Sequence, residues 1–377
     1  MRVLACLAIA VGSVLSVADA QAPLARWTIN AQPVITIGQS DADTNALFVA
    51  VAGATRLPNG RILVGDRGEF TLRLFSPNGK QERAFGRKGS GPGEVNYLKS
   101  MLRCGDSVFT VDIDGNRTSV FSLDGKFVRM FRVGSPQAGR PPYDTACNAG
   151  GVFTHLGWEV AAQMRGGAYR PDVPYWLSAA DSAVRHVVGT FPGSERFALV
   201  IDGQLRGTRP LPLGRQPTFA LGDDRLYIGS ADSYEIKSFD LSGKPLTTIR
   251  AAVSPRAVTD DDIEYAREIE IATSGERARQ GIEQLWTTMP IPKTAPAHAA
   301  LRVDHSGNLW VQDYPRAKAP MVTWRVFGRS GSPVAHVELP AHLTVFEIGA
   351  DYVLGRYLDP EESIPQVRLY RLTRAAR

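Results

Sequence analysis

The feature that most constrains this 377-residue chain is a tight turn that recurs at wide intervals. Ser76-Pro77-Asn78-Gly79-Lys80, Ser122-Leu123-Asp124-Gly125-Lys126 and Asp240-Leu241-Ser242-Gly243-Lys244 are versions of one turn, with polar residues ahead of a glycine that can take positive φ. Gly328-Arg329-Ser330-Gly331-Ser332 is a degenerate fourth copy. The glycines at 79, 125, 243 and 331 lie 46, 118 and 88 residues apart. One repeat, two repeats, and one repeat with an insertion account for those intervals, given a repeat of about 40–45 residues. Alternating apolar runs flank each copy, as antiparallel hairpins require.

A second series of turns lies one strand pair upstream: Pro58-Asn59-Gly60-Arg61, Cys104-Gly105-Asp106-Ser107, Gly222-Asp223-Asp224-Arg225, Asp304-His305-Ser306-Gly307-Asn308 and Gly349-Ala350-Asp351. Each precedes a strand of one type, such as Ile62-Leu63-Val64, Val108-Phe109-Thr110-Val111 or Leu309-Trp310-Val311. Two turn classes per repeat mean four strands per repeat, and four-stranded antiparallel units set around an axis are propeller blades. The spacing predicts an all-β, six-bladed β-propeller with blades near residues 48–90, 98–135, 142–195, 215–255, 298–340 and 342–374. The last repeat has three strands of its own, ending in Val367-Arg368-Leu369-Tyr370-Arg371-Leu372. Pro33-Val34-Ile35-Thr36-Ile37, ahead of the first blade, is predicted to supply the fourth and so to close the ring, which removes an exposed sheet edge.

Residues 1–20 read as a signal peptide: Arg2 precedes an uncharged stretch from Val3 to Ala18, and Ala18-Asp19-Ala20 offers the small residues that signal peptidase needs. The expected mature domain, 21–377, is then exported to the periplasm or beyond. The net charge of +5 is spread along the chain, without the clustered Lys and Arg of a nucleic-acid surface, and no second apolar stretch approaches membrane length. A monomer is expected. Two cysteines remain after removal of Cys6 with the leader. Cys104 and Cys147 close the predicted innermost strands of neighbouring blades, and in an oxidising compartment such a pair is expected to be bridged.

Three segments resemble the bacterial six-bladed propeller proteins related to NHL-repeat proteins. They are Leu57-Pro58-Asn59-Gly60-Arg61-Ile62-Leu63-Val64-Gly65-Asp66, the loop Gly86-Arg87-Lys88-Gly89-Ser90-Gly91-Pro92-Gly93-Glu94, and Asp304-His305-Ser306-Gly307-Asn308-Leu309-Trp310-Val311-Gln312-Asp313-Tyr314. The Gly-Pro-Gly-Glu loop is the most specific of them; Val95 stands where such proteins usually carry Phe. The resemblance implies an exported propeller and no particular reaction.

In a propeller the loops between second and third strands emerge on one face around the central channel. That placement nominates Asp66, Arg67, Asp112, Asp114, Asp232, Asp313, Tyr314 and Arg356 as a polar ring for a ligand, against the plainer role of Asp as an acceptor for loop amides. The Gly86–Glu94 loop lacks the Gly-Lys-Ser/Thr ending of a nucleotide site and reads as a connector. Residues 158–173, with Arg165, Tyr169 and Arg170, enlarge a loop of the third blade. A helical, Pro-rich insertion is expected over 256–297 between the fourth and fifth blades, capped by Thr259 and serving as a lid over the channel or as a clip on one blade. The six histidines form no metal-ligand spacing. Asp112-x-Asp114-Gly115-Asn116 hints at calcium, but Leu123 occupies the position of the bidentate carboxylate, so no cofactor is implied beyond an occasional divalent cation. With no nucleophile elbow and no metalloprotease helix, the leading expectation is a binding protein for a small polar ligand or a protein partner. The rival is a metal-dependent, lactonase-like hydrolase or lyase of the propeller class.

Overall fold

The computed structural model describes residues 24–39, 47–137, 140–159, 166–179, 183–359 and 364–375. The expected signal peptide and Arg165 lie outside these residues. Among them, four-stranded antiparallel sheets are built in chain order from residues 51–85, 98–131, 144–192 and 218–250; sheets from 298–340 and 343–373 are each extended by N-terminal strands. Below these are called the first to sixth sheets. The recurring turn has one geometry in all four copies: Gly79, Gly125, Gly243 and Gly331 take φ of 86°, 84°, 80° and 85°. In each, the glycine N–H donates to the carbonyl three residues back, at 2.9–3.0 Å. The repeat seen in the sequence is therefore a repeat of backbone conformation.

The first strand of each sheet packs beside the first strand of the next. Val51–Arg56 lies by Leu98–Cys104, followed by Asp144–Cys147, Thr218–Leu221, His298–Val303 and Leu343–Ile348, which returns to Val51–Arg56. The approach is close: a Cβ on Gly53 would stand 2.6 Å from the Met101 carbonyl oxygen, so glycine is required there. Second strands such as Ile62–Asp66 are buried on both faces, which is why they read as unbroken apolar runs; outer strands such as Phe127–Phe131 are mostly exposed. Each seam between sheets holds its own apolar cluster. Leu63 and Leu74 meet Leu98 and Met101 between the first two sheets, for example, and Val326 and Val337 meet Val345 and Val353 between the last two.

Three short strands at the N-terminus fasten the two ends of the chain. β1 (Ala25–Arg26) runs parallel to the outer strand of the fifth sheet, with Ala25 opposite Ala335. β2 (Thr28–Ile29) and β3 (Ile35–Ile37) both pair antiparallel with the strand Pro365–Thr373, and the Val34 N–H donates to the Leu369 carbonyl at 2.7 Å. The segment predicted to complete the last sheet therefore does so, and β1, ahead of it, reaches one sheet further.

Cys104 and Cys147 are joined, with Cα atoms 5.7 Å apart. The bond ties the second sheet to the third across a sequence separation of 43, for which loop-closure entropy gives about 4 kcal/mol. Reduction, or Cys104→Ser with Cys147→Ser, is expected to lower the melting temperature by several degrees in differential scanning calorimetry. An unchanged melt would show that seam packing alone holds the two sheets together.

One element stands outside the predicted repeat. Gly167–Tyr169, Arg196–Ile201 and Gln204–Pro210 form a three-stranded side sheet. The inserted helices α1 (Asp260–Ser274) and α2 (Arg279–Thr288) pack in the same small core, where Ile271, Ile282 and Trp286 meet Leu211 and Phe197. Thr259 caps α1 in a capping box with Asp262, and the base of the insertion is pinched by a bridge between Ala257 and Thr294.

Candidate functional site

The first strands enclose a central cavity of about 820 Å³, lined by residues of all six sheets, among them Ala52, Ser100, Asp144, Thr218, Arg302 and Glu347. No residue of α1 or α2 belongs to this wall. At the end where the first strands turn back, Glu347 is a hub. Its carboxylate accepts from Thr55 Oγ1 at 2.6 Å, from the Arg56 N–H at 3.0 Å and from the Tyr352 hydroxyl, and His305 Nε2 stands 3.3 Å away. Burial opposes ionisation of Glu347, but these donors outweigh it and hold the carboxyl below its usual range. The same contact raises the His305 pKa.

On the same cavity wall, Asp144 and Arg302 stand on the first strands of the third and fifth sheets. Burial pushes the Asp144 carboxyl up, with the nearby Lys99 and Arg302 pulling the other way. Burial likewise lowers the Arg302 pKa, opposed by Asp144. No ion pair joins the two.

No protein-family model matches the chain. A stretch of 88 residues, 23% of the chain, is 38% identical to the RING finger protein nhl-1 of Caenorhabditis elegans, and the match spans 8% of that protein. Among solved structures, a member of the duf4221 family from Bacteroides vulgatus superposes with a TM-score of 0.55 at 10% identity, over 94% of this chain and 100% of that one. A protein of Bacteroides fragilis named as an inferred exported protein gives 0.50 at 12% identity, over 94% and 96%. The fold is a β-propeller. At such identities the likeness carries the fold and no activity.

The residues nominated from the sequence sit at the ends of second strands of this propeller, outside the cavity wall. Asp66 is fully buried and accepts from the amides of Ala50 and Gly68 at 3.2 and 3.0 Å, with Arg73 3.6 Å away. Asp112 repeats the pattern with the amides of Asn96, Tyr97 and Gly115 and with Arg117 Nε, at 2.9–3.1 Å. Each carboxylate clamps the loop that enters its own sheet, and protein donors occupy the Asp112 oxygens that the calcium reading would need. Asp114 is exposed on the adjoining turn. Arg67 donates to the Leu98 carbonyl and lies over the Tyr97 ring; it stands near enough to Arg356 to join burial in lowering that group's pKa. Asp232 links Arg170 (2.5 Å) with Arg215 (3.3 Å).

Asp313 and Tyr314 face a second pocket of about 270 Å³, shared with Arg256, Arg316 and Arg325. There Arg325 grips Asp313 through two bonds of 2.9 Å and the Tyr234 hydroxyl adds a third of 3.0 Å. The Gly86–Glu94 loop is filled by its own carboxylate: Glu94 accepts from the Gly91 N–H at 2.7 Å and from Arg87 Nε at 2.6 Å. Among the described residues no group of three His, Cys, Asp or Glu side chains converges to hold a metal ion, and no helix is long and apolar enough to cross a membrane.

The nominated residues thus fall into Arg67 with Arg356, Asp313 with Tyr314, and separate clamps, whereas the cavity wall carries Asp144, Arg302 and Glu347, which were not nominated. Their signal was a charged side chain within a first strand, where a propeller places small or apolar residues against its neighbours.

Proposed function

We propose that this chain is an exported six-bladed β-propeller that binds a small polar ligand in its central cavity. The observation that carries the reading is the cavity itself. Its volume, about 820 Å³, falls in the range of about 300–1,000 Å³ usual for small-molecule sites. Its wall combines small side chains such as Ala52, Ala146 and Ala300 with charged ones such as Arg103, Asp144, Arg302 and Glu347, so it can shape a ligand by packing and orient it by polar groups. The disulfide supports export, since such bonds persist in oxidising compartments.

A thermal-shift screen of polar metabolites against the mature domain tests the reading, with Ala300→Trp as a variant that fills the cavity. At a ligand concentration of about 100 Kd the expected stabilisation is about 2.7 kcal/mol, and the variant is expected to lose it. A shift that survives Ala300→Trp, or no shift with any polar compound, would overturn the assignment.

A further inference from the structure

The geometry points to a small zwitterion, carrying an ammonium and a carboxylate group, as the ligand of the central cavity, held between Asp144 and Arg302. The inference rests on the cavity reading above and names the chemistry of its occupant.

Both side chains line the cavity. Among the described residues neither makes an ion pair, although Lys99 and Arg302 stand near enough to act on Asp144. The Asp144 carboxylate accepts one hydrogen bond, from the Thr145 N–H at 2.8 Å, which leaves most of its lone pairs unused. Arg302 donates Nε to the Val345 carbonyl and one terminal nitrogen to the Leu301 carbonyl, both at 2.7 Å. Its other terminal nitrogen has no protein partner among the described residues. The two backbone carbonyls fix the guanidinium plane, so the free nitrogen is held in place for a ligand. The buried aspartates differ, since each stands by an arginine: Asp66 by Arg73, Asp112 by Arg117, Asp262 by Arg256 and Asp304 by Arg374.

Asp144 and Arg302 are opposite charges, half-buried on one cavity wall and not joined to each other, and each keeps hydrogen-bonding capacity that a ligand can use. The occupant that uses both ends carries a hydrogen-bonding cation toward Asp144 and an anion toward Arg302. A simple anion would be drawn to Arg302 and repelled by Asp144, a simple cation the reverse, and a neutral sugar would form a charge-to-charge bond with neither. An ammonium donates to carboxylate oxygens and a carboxylate accepts from guanidinium, each as a charge-assisted hydrogen bond. Free amino acids and short peptides share this chemistry.

Isothermal titration of the mature protein tests the inference with the twenty free amino acids and with alanyl dipeptides. The best binder is then compared with its N-acetyl and C-terminal amide derivatives. The parent zwitterion is expected to bind, and each derivative to bind about tenfold to a hundredfold more weakly. In Asp144→Asn the penalty for acetylation is expected to shrink, and in Arg302→Gln the penalty for amidation. The derivative series is read on the unmodified protein, so it stands even if a variant fails to fold. Tightest binding by free amino acids or by dipeptides decides which source is used. Equal affinity for parent and derivatives, or no binding by any zwitterion while another polar compound gives an Ala300→Trp-sensitive shift, would overturn the zwitterion and leave the cavity reading standing. A cavity that takes no polar compound at all would overturn both.

Discussion

Trp27→Ala is expected to destabilise the propeller by about 3–5 kcal/mol, the usual cost of emptying a buried tryptophan site. Trp27 is 6% exposed and lies between β1 and β2, at the seam of the fifth and sixth sheets. Its ring centroid is 5.7 Å from that of Trp310, and the Arg374 guanidinium sits 4.6 Å above it. Arg374 in turn donates to Asp304 and to the Gly349 carbonyl, at 2.9 and 2.8 Å, and Trp310 Nε1 donates to the same aspartate at 2.9 Å. One side chain near the N-terminus therefore packs the element that binds the C-terminus. Its loss leaves a cavity where the ring closes, where no covalent link stands in. Val34→Ala is the control, since that side chain is 58% exposed and contributes to closure only through its backbone. Urea midpoints compared at constant slope measure the difference. Equal midpoints for the two variants would show that backbone pairing of β3 closes the ring unaided.

Much of this architecture is legible in the chain because it is local. Gly79, Gly125 and Gly243 set the same positive φ, and the runs around them alternate with period two, so hairpins and their repetition follow from neighbouring residues. The closing strand was legible as well: Ile35-Thr36-Ile37 is a strand with no hairpin partner of its own, and the last repeat lacks one. The side sheet was missed although Ile201-Asp202-Gly203-Gln204 is a good hairpin turn, because a four-strand template has no place for a further hairpin between repeats. Whether α1 and α2 cover the channel depends on Phe197 and Leu211, which only that unrecognised sheet brings to meet Ile271 and Trp286. The polar cavity wall was missed for a related reason. The role of Asp144 depends on which charged groups other sheets bring to the same cavity, and a juxtaposition over more than 150 residues leaves no trace in local pattern.

Between pH 6.5 and pH 4 the folded state is expected to lose stability steeply, chiefly through two histidines that the fold keeps neutral. His155 is buried in the third sheet, with Nδ1 2.9 Å from Thr145 Oγ1 and Nε2 2.8 Å from Ser178 Oγ, and burial lowers its pKa to about 3. Burial also lowers His298 to about 4, against the opposing pull of Asp232 and Asp313; its Nε2 has no partner, and its Nδ1 is 3.4 Å from Thr218 Oγ1. For both, the folded pKa lies below the unfolded value of 6.5. The unfolded chain therefore takes up protons first as pH falls, and stability is complete above 6.5 and declines toward the folded values. At pH 4 the loss is about 3 kcal/mol for each group as an upper limit. Glu347, held below its usual range, adds a loss in the same sense only as pH falls through the unfolded value of 4.5, and the groups that follow act elsewhere or in the opposite sense. Asp262, held well below its usual range by Arg256 and Thr259 despite burial, loses its contribution only below the unfolded value of 3.8. His305, raised by Glu347, contributes stability that is full below 6.5 and is lost as pH rises through its folded value. The raised Asp144 takes up its proton in the folded state first and so offsets part of the decline. Urea midpoints from pH 7.5 to pH 4 for the wild type and for His155→Gln and His298→Gln separate these contributions. Each variant is expected to flatten the acid limb by up to about 3 kcal/mol, while His305→Gln should alter only the alkaline side. An acid limb of unchanged slope in both buried variants would mean that carboxylates, and not the two neutral imidazoles, govern acid unfolding of the propeller.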